Sequence, residues 1–187
     1  MSLRTTVVFL ALLIAALAPA SAQQTQTPLR TPDVIFVPTP QEVVDAMLKL
    51  AKVTKNDVVY DLGSGDGRIP ITAAKTYGAR AVGIDIDPQR IQEANANLKT
   101  AGVGNLARFL NQDLFTTDIS EATVVTLYLL PSLNVKLLPK LNKELKPGTR
   151  IVSHAFDMSS DGVDRKPLET VNVNGRTVYF WTIPIQP

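Results

Sequence analysis

A glycine-rich loop between an apolar strand and a helix is the feature that most limits how this chain folds. Residues 57–62 predict a short buried strand, residues 63–67 carry three glycines, and residues 69–77 predict a helix that Gly78 closes. Open parallel sheets bind ligands where such loops lie, at the carboxyl ends of the strands. Because glycine has no Cβ, the loop can turn sharply and approach a ligand closely.

The same alternation of strand and helix patterns continues along the chain. Thr39 as cap, Pro40 at the first helical position and Glu42 three residues after the cap predict a helix that runs to about Lys52. Further helices are predicted to begin at Asp87-Pro88 and at Pro131. Strands joined by helices pair in parallel through right-handed crossovers. The other strands predicted for this parallel set are residues 81–85, 107–110, 122–130 and 150–156.

The end of the chain has a different pattern. Asn174-Gly175 separates two β-rich runs, residues 168–173 and 177–183, and this dipeptide is typical of a tight β-hairpin. Five parallel strands and this hairpin predict an α/β fold, a doubly wound, Rossmann-like seven-stranded sheet with a C-terminal antiparallel β-hairpin. We expect one such domain over residues 34–187.

The first residues resemble a secretory signal. Arg4 precedes the apolar residues 7–18, and Ala20-Ser21-Ala22 is typical of a cleavage site. Twelve apolar residues at ~1.5 Å each reach about 18 Å, well short of a ~30 Å bilayer core. We therefore expect residues 1–22 to be a cleaved signal peptide, residues 23–33 a linker, and the protein to be periplasmic or secreted, with no stable membrane span after cleavage. The alternative is membrane anchoring by an uncleaved N-terminal segment.

Composition limits the classes of function. Hydrophobic residues make up 45% of the chain and charged residues 19%, which is enough for a core, and the net charge of +2 is far from the basic field of a general nucleic-acid binder. We therefore expect no nucleic-acid partner. With no cysteine and His154 as the single histidine, disulfides, thiolate zinc sites and multi-histidine metal sites are excluded, and we expect no metal. The oligomeric state is left open.

An acidic residue at the end of the second predicted strand points to an adenosine-type cofactor. Asp85 follows Gly63 by 22 residues, and a carboxylate in this place can accept two hydrogen bonds from a ribose diol. A dinucleotide fingerprint reads G-x-G-x-x-G. This loop reads G-x-G-x-G with Asp61 two residues ahead of it, which disfavours NAD.

The sequence Asp61-Leu62-Gly63-Ser64-Gly65-Asp66-Gly67 resembles the first motif, D/E-x-G-x-G-x-G, of the class I methyltransferases that use S-adenosylmethionine (SAM). The later strand ends match that family in order. The resemblance implies SAM as the cofactor, ribose contacts at the end of the second strand and adenine contacts after the third. The implied cofactor-binding residues are Asp61, Gly63, Ser64, Gly65, Gly67, Asp85, Ile86, Asp113 and Leu114.

A narrower resemblance concerns the acceptor. Residues 36–40, 61–69 and 128–132 are similar to the lysine methyltransferases that act on the c-subunit of ATP synthase, although the start of this chain looks secretory. The resemblance implies a protein lysine as acceptor, with Leu130, Pro131 and Ser132 near it. The N/D-P-P-Y/F motif of base-directed enzymes is absent after the fourth strand. A methyltransferase for small molecules and a non-catalytic SAM- or nucleoside-binding domain are the alternatives.

Four side chains have both a chemical and a structural interpretation. A lysine with a pKa of ~10.4 must lose its proton before it attacks, and Tyr128 could line a slot that favours the neutral amine; otherwise it is an ordinary core or rim tyrosine. His154 is a candidate general base, although local packing is the simpler interpretation. Asp61 could orient the loop through backbone N–H groups or face the methionine ammonium. Asp66 could cap the following helix.

Overall fold

The computed structural model describes residues 29–159 and 161–186. The predicted signal peptide, residues 1–22, and the first part of the predicted linker lie outside them. No helix among the described residues is long and apolar enough to cross a membrane. The helices are Gln41–Leu50 (α1), Arg68–Tyr77 (α2), Pro88–Ala101 (α3) and Pro131–Glu144 (α4), and the strands are Val58–Leu62 (β1), Arg80–Asp85 (β2), Ala107–Asn111 (β3), Val124–Leu127 (β4), Arg150–His154 (β5), Glu169–Val173 (β6) and Arg176–Thr182 (β7).

The seven strands form one sheet in the order β3-β2-β1-β4-β5-β7-β6. Strands β1 to β5 are parallel, and β7 lies antiparallel between β5 and β6. Both turn residues of the final hairpin, Asn174 and Gly175, have positive φ, which suits a tight two-residue connection. The predicted fold class is confirmed. The strand order reverses direction between β1 and β4, and ligands bind at such a switch point.

A hydrophobic core covers each face of the sheet. Helices α1, α2 and α3 pack on one face through buried side chains such as Met47, Ala73 and Ala94. On the other face α4 and the residue after it bury Leu137, Leu141 and Leu145, which recur at a four-residue spacing. Each such leucine contributes roughly 1.5–3 kcal/mol to folding. The sheet is therefore held rigidly from both sides, and its strand ends are fixed in space.

Two strands end earlier than their sequence pattern predicts. Strand β4 stops at Leu127 and not at Leu130, because its neighbour β1 ends at Leu62, the partner of Leu127. Strand β5 stops at His154, since Ala155 has a φ of +63° and turns the chain away. Apolar patterns mark which residues are buried, whereas a strand ends where its partners end. As a result, Tyr128 lies just beyond the sheet.

The predicted cap of α1 was wrong. The cap residue is Pro40, whose extended ψ of 148° starts the helix one residue later, and no side chain caps it. The hydroxyl of Thr39 instead lies 3.2 Å from Nδ1 of His154, at the end of β5. A residue that precedes proline favours extended backbone, which lets Thr39 leave the helix and contact the sheet.

Candidate functional site

A cavity of about 640 Å³ opens at the switch point, within the ~300–1,000 Å³ typical of small-molecule sites. Its floor is formed by the ends of β1 and β2, with Asp61, Asp85 and Ile86, and by the glycine loop. Its walls come from Tyr128 and Leu129 after β4 and from residues 30–39, here called the strap, which run across the opening. The strap includes the last part of the predicted linker.

The backbone of the glycine loop is hydrogen-bonded mainly within the protein. The N–H groups of Gly63 and Ser64 both donate to the carbonyl of Ile84 at 2.9 Å, and that of Gly67 donates to the carbonyl of Ser64. The N–H of Gly65 donates to Asp85. The N–H groups of these four residues are therefore not free to bind a ligand. The loop provides a close, rigid surface in place of an array of donors.

Two glycines of the loop have no room for a side chain. Gly65 has a φ of +51°, and a Cβ there would overlap the ring of Phe36 in the strap. Gly67 has a φ of +81°, and its Cβ would overlap the ring of Phe109 on β3. Neither residue lines the cavity itself. Their role in the structure is to let the strap and β3 pack against the loop.

Asp85 is held by backbone donors on both sides. Its Oδ2 accepts from the N–H of Gly65 at 2.8 Å, and its Oδ1 accepts from the N–H of Asp87 at 2.9 Å. Burial raises the pKa of Asp85 despite these hydrogen bonds. Each carboxylate oxygen retains a lone pair. Asp85 therefore lines the cavity in a fixed orientation with capacity for two hydroxyl donors, which is what a ribose diol requires.

Asp61 is the most deeply buried carboxylate of the cavity. Only 3% of its surface is exposed, and Thr126 Oγ1 donates to its Oδ1 at 2.7 Å. Burial raises the pKa of Asp61 to about 7, and the nearby carboxylates of Asp85 and Asp66 act in the same direction. The glycine loop donates no hydrogen bond to it in the described structure. Of its two predicted roles, the geometry therefore favours a carboxylate that faces a cationic part of a ligand.

The site fits SAM, the cofactor that the sequence predicts. The positive-φ glycine at position 63 turns the chain at the floor of the cavity, and the hydroxyl of Ser64 beside it is buried without a partner among the described residues. Asp85 with Ile86 would hold the ribose, and Leu114 would contact the adenine. Asp61 would face the methionine end. No cluster of three or more His, Cys, Asp or Glu side chains is placed to hold a metal ion in the described part of the chain.

Three aromatic side chains cluster where Tyr128 forms part of the cavity wall. The ring of Tyr128 lies 4.0 Å from that of His154 and 6.1 Å from that of Phe156, measured between ring centroids. Burial lowers the pKa of His154 to about 4, and the charge of Arg176 adds to this effect. His154 does not line the cavity. It packs beneath Tyr128 and contacts Thr39, as the simpler interpretation expects.

The strap is fixed at both ends by charged contacts. Arg30 donates to Asp113 at 2.6 Å and to Asp33 at 2.5 Å, and these carboxylates raise its pKa further. At the other end, Arg68 Nη1 donates to the carbonyl of Thr39 at 2.8 Å, and Asp66 holds the guanidinium of Arg68. The carboxylate of Asp66 also accepts from the backbone N–H of Arg68 at 3.3 Å, near its predicted place at the start of α2.

The remaining predicted residues lie around the cavity or beside it. Leu114 lines it, but Asp113 does not: its carboxylate accepts from the N–H of Phe115 and pairs with Arg30, which lowers its pKa. Its role toward adenine stays a prediction. The residues predicted to lie near the acceptor, Leu130, Pro131 and Ser132, are at the start of α4 and outside the cavity lining.

Sequence reasoning missed three arginines that line the cavity, Arg30, Arg68 and Arg90. No short motif marks them. Arg90 lies 4.8 Å above the ring of Phe36, a cation–π contact between residues more than fifty positions apart. Arg68 alone could have been found, because it follows the glycine loop directly.

Comparison with known proteins agrees with this geometry. The family model for the ANTKMT methyltransferase domain matches residues 61–164. A protein-lysine N-methyltransferase of Saccharolobus islandicus is 50% identical over 157 residues, which cover 81% of this chain and 95% of that protein. The human lysine N-methyltransferase of the ATP synthase c-subunit is 30% identical over 73% of this chain and 59% of its own length.

A solved structure extends the comparison to the fold. An RNA methyltransferase from Salinibacter ruber, in complex with S-adenosyl-L-homocysteine, is 59% identical with a TM-score of 0.76, over 81% of this chain and 96% of that one. The family model covers more than half of the chain and includes the glycine loop. The chain therefore belongs to the ANTKMT methyltransferase-domain family and is a methyltransferase that uses SAM.

Proposed function

We propose that this enzyme transfers the methyl group of SAM to the side-chain amine of a lysine in a protein. The observation that carries the proposal is the 50% identity to the Saccharolobus islandicus protein-lysine N-methyltransferase over 95% of that protein. The similarity to the human enzyme named for the ATP synthase c-subunit supports the same acceptor class.

The charges of the cavity disfavour an anionic acceptor. Three of its aspartates pair with its three arginines, in the ion pairs Arg30–Asp33, Arg68–Asp66 and Arg90–Asp87. The two that remain, Asp61 and Asp85, have no arginine or lysine partner among the described residues. The described lining therefore offers no unpaired arginine to a phosphate group, and its two unpaired carboxylates suit the positive charges of SAM.

RNA is the competing acceptor, because the similar Salinibacter ruber protein is described as an RNA methyltransferase. The net charge of this chain is only +2, and RNA binders concentrate basic residues around their sites. Residues 129–132 read Leu-Leu-Pro-Ser where base-directed enzymes carry N/D-P-P-Y/F. Both observations support lysine over a nucleic-acid base.

Methyl transfer is an in-line displacement that depends on positioning more than on covalent catalysis. Bound SAM supplies an electrophilic methyl group on a sulfonium. Asp85 would orient the ribose, and Asp61 would hold the methionine ammonium, while Tyr128 would line the path of the incoming amine. These contacts would align the reacting atoms and exclude water.

The acceptor must arrive without its ammonium proton. His154 is too weak a base to remove it, because a group with a pKa of about 4 cannot compete for the proton of a lysine at ~10.4. Entry of the lysine into a desolvated slot beside Tyr128 lowers the pKa of the amine. The proton is therefore expected to leave to water before the amine reaches the methyl group.

The proposal is tested with labelled SAM. The purified protein is incubated with a lysine-rich protein, with the same protein after chemical dimethylation of its lysines, and with RNA. Label in the untreated protein alone is the expected result. Label in RNA alone would overturn the lysine assignment, and S-adenosylhomocysteine formed without any labelled macromolecule would indicate a small-molecule acceptor.

We further propose that the protein acts after export. Arg4, the apolar residues 7–18 and the Ala20-Ser21-Ala22 sequence support a cleaved signal peptide. Mass spectrometry of the exported protein should give Gln23 as the first residue. An intact N-terminus in the membrane fraction would favour the anchored alternative.

A further inference from the structure

Exposed apolar side chains gather at the mouth of the cavity. Among the described residues, Ile35 is 86% exposed, Val37 is 50% exposed and Leu130 is 46% exposed. Ile35 and Val37 line the cavity, and Leu130 directly follows Tyr128 and Leu129, which also line it. Single exposed apolar residues are common, but a group beside a binding cavity marks a contact surface. These three residues are here called the apolar rim.

The rim is held in place and does not need a ligand to form. Between Ile35 and Val37, the ring of Phe36 lies against Gly65 and beneath the guanidinium of Arg90. The strap is fixed next to this point where Arg68 holds the carbonyl of Thr39. Prolines at positions 38 and 40 restrict the backbone of the same segment. The exposed side chains are therefore presented on a preorganised segment, which reduces the entropic cost of binding.

The rim is the part of the site that remains for the acceptor. Asp61 and Asp85 at the floor are assigned to SAM, so the acceptor is selected at the mouth, where the exposed side chains of the rim offer contacts to apolar groups. We propose that the apolar rim is the acceptor-docking surface and that it takes a protein segment in which the target lysine is flanked by apolar residues. This inference rests on the proposed lysine methyltransferase function and names its substrate class.

The charges around the rim disfavour other kinds of partner. A nucleic acid or an anionic lipid surface is recognised through free lysines and arginines. Two arginines of the cavity lie close to the rim, Arg30 in the strap and Arg90 against Phe36. Their guanidinium groups are engaged by Asp33, Asp113 and Glu93. An apolar segment that carries the target lysine needs no free basic group and fits the rim.

The test uses two peptides of equal length and charge. One carries its lysine between leucine and valine residues, and the other carries it between serine and glutamine residues. The full-length protein, an Ile35→Ser/Val37→Ser variant and a Leu168→Ser variant are compared. Leu168 is the matched control because it is 67% exposed and lies outside the cavity lining, next to β6.

Because Ile35 and Val37 also line the cofactor cavity, the kinetics are measured at saturating SAM, where the rim variant should raise KM for the apolar peptide at least tenfold. The KM for the polar peptide, and all constants of the Leu168→Ser variant, should stay as they are. Equal KM values of the unaltered enzyme for the two peptides would overturn the inference, as would an equal loss on both peptides in the rim variant. Thermal unfolding of each variant checks that the fold is intact.

A lipid surface is distinguished by flotation with phosphatidylcholine vesicles. Binding to vesicles that the rim variant loses, with peptide kinetics unchanged, would overturn the acceptor assignment in favour of a membrane contact. Failure of the proposed function has a different signature: neither peptide, nor any lysine-rich protein, would be methylated by the unaltered enzyme.

Discussion

The backbone N–H of Gly65 donates a 2.8 Å hydrogen bond to Oδ2 of Asp85, which joins the glycine loop after β1 to the end of β2. The other oxygen of Asp85 accepts from the N–H of Asp87 and so fixes the start of the loop before α3. A carboxylate bound on both sides keeps one orientation without any ligand. Asp85 therefore supports the loop and is already oriented for the ribose contact that we propose for it.

Asp85→Ala should weaken SAM binding more than tenfold, or about 1.4 kcal/mol. The variant removes the acceptors for the ribose hydroxyls and also frees the N–H of Gly65. Calorimetric titration with SAM measures the effect, with NAD as a control for selectivity and Glu169→Ala as a control for an exposed acidic residue on β6. An unchanged affinity would count against the placement of the ribose at Asp85.

Asp61→Asn should stabilise the free protein while it weakens SAM binding. The pKa of Asp61 is raised to about 7, so between pH 4 and 7 the folded protein holds a proton that the unfolded chain releases. The free energy of unfolding therefore falls as the pH rises through this window. Asparagine resembles the protonated form and keeps the hydrogen bond from Thr126. At pH 8 the variant should gain a few kcal/mol, since each pKa unit corresponds to ~1.36 kcal/mol.

The same carboxylate makes cofactor binding depend on pH. A cationic ligand favours ionised Asp61, so the Kd for SAM should rise by up to about tenfold per unit as the pH falls below 7. Thermal melts at pH 5 and pH 8 and titrations at pH 6, 7 and 8 measure both effects. Equal stability of the unaltered protein and the Asp61→Asn variant at pH 8 would contradict the role of Asp61. A Kd for SAM that does not change with pH would contradict it as well.

The local chemistry of the site was predictable from the sequence because it lies in short segments. The glycine loop and Asp85 follow strands with clear apolar patterns, and each lies where the topology brings strand ends together. The contacts of the strap were not predictable in this way. Arg30 and Asp113 are 83 positions apart, and Thr39 and His154 are 115 apart. No periodic pattern connects residues over such distances, so they follow only from the assembled fold.

Gly65→Ala should disturb the strap more than the loop. The added Cβ would overlap the ring of Phe36, and the φ of +51° is unfavourable for alanine by roughly 1–2 kcal/mol. In a Phe36→Ala background the overlap with the ring is removed, and only the cost of placing alanine at this positive φ remains. The loss of stability caused by Gly65→Ala should therefore be smaller in that background, and a double-mutant cycle by chemical unfolding measures the difference. Additive effects would show that the ring of Phe36 does not rest on Gly65.

His154 should make the protein sensitive to mild acid. Its pKa falls from 6.5 in the unfolded chain to about 4 in the fold, so the unfolded chain binds the extra proton between these values. The stabilising effect of neutral His154 is complete above pH 6.5 and is lost as the pH falls toward 4. His154→Gln should lose less stability over this window, by roughly 1–3 kcal/mol. Asp61 has the opposite pH effect, but it is present in both the unaltered protein and the His154→Gln variant. The difference between their free energies of unfolding therefore isolates His154, and parallel curves of stability against pH would refute the assignment.

Kinetics can distinguish two alternative roles proposed for Tyr128 in turnover. It follows the last residue of β4, lines the cavity and packs on His154 and Phe156. If its hydroxyl assists the incoming amine, Tyr128→Phe should lower kcat by roughly the 10²-fold at the lower end of general acid–base effects. If its ring only shapes the slot, Tyr128→Phe should keep kcat and Tyr128→Ala should reduce it. Steady-state kinetics with saturating SAM makes the distinction. An unchanged kcat in both variants would remove Tyr128 from the mechanism and leave the acceptor slot to Leu129 and the strap.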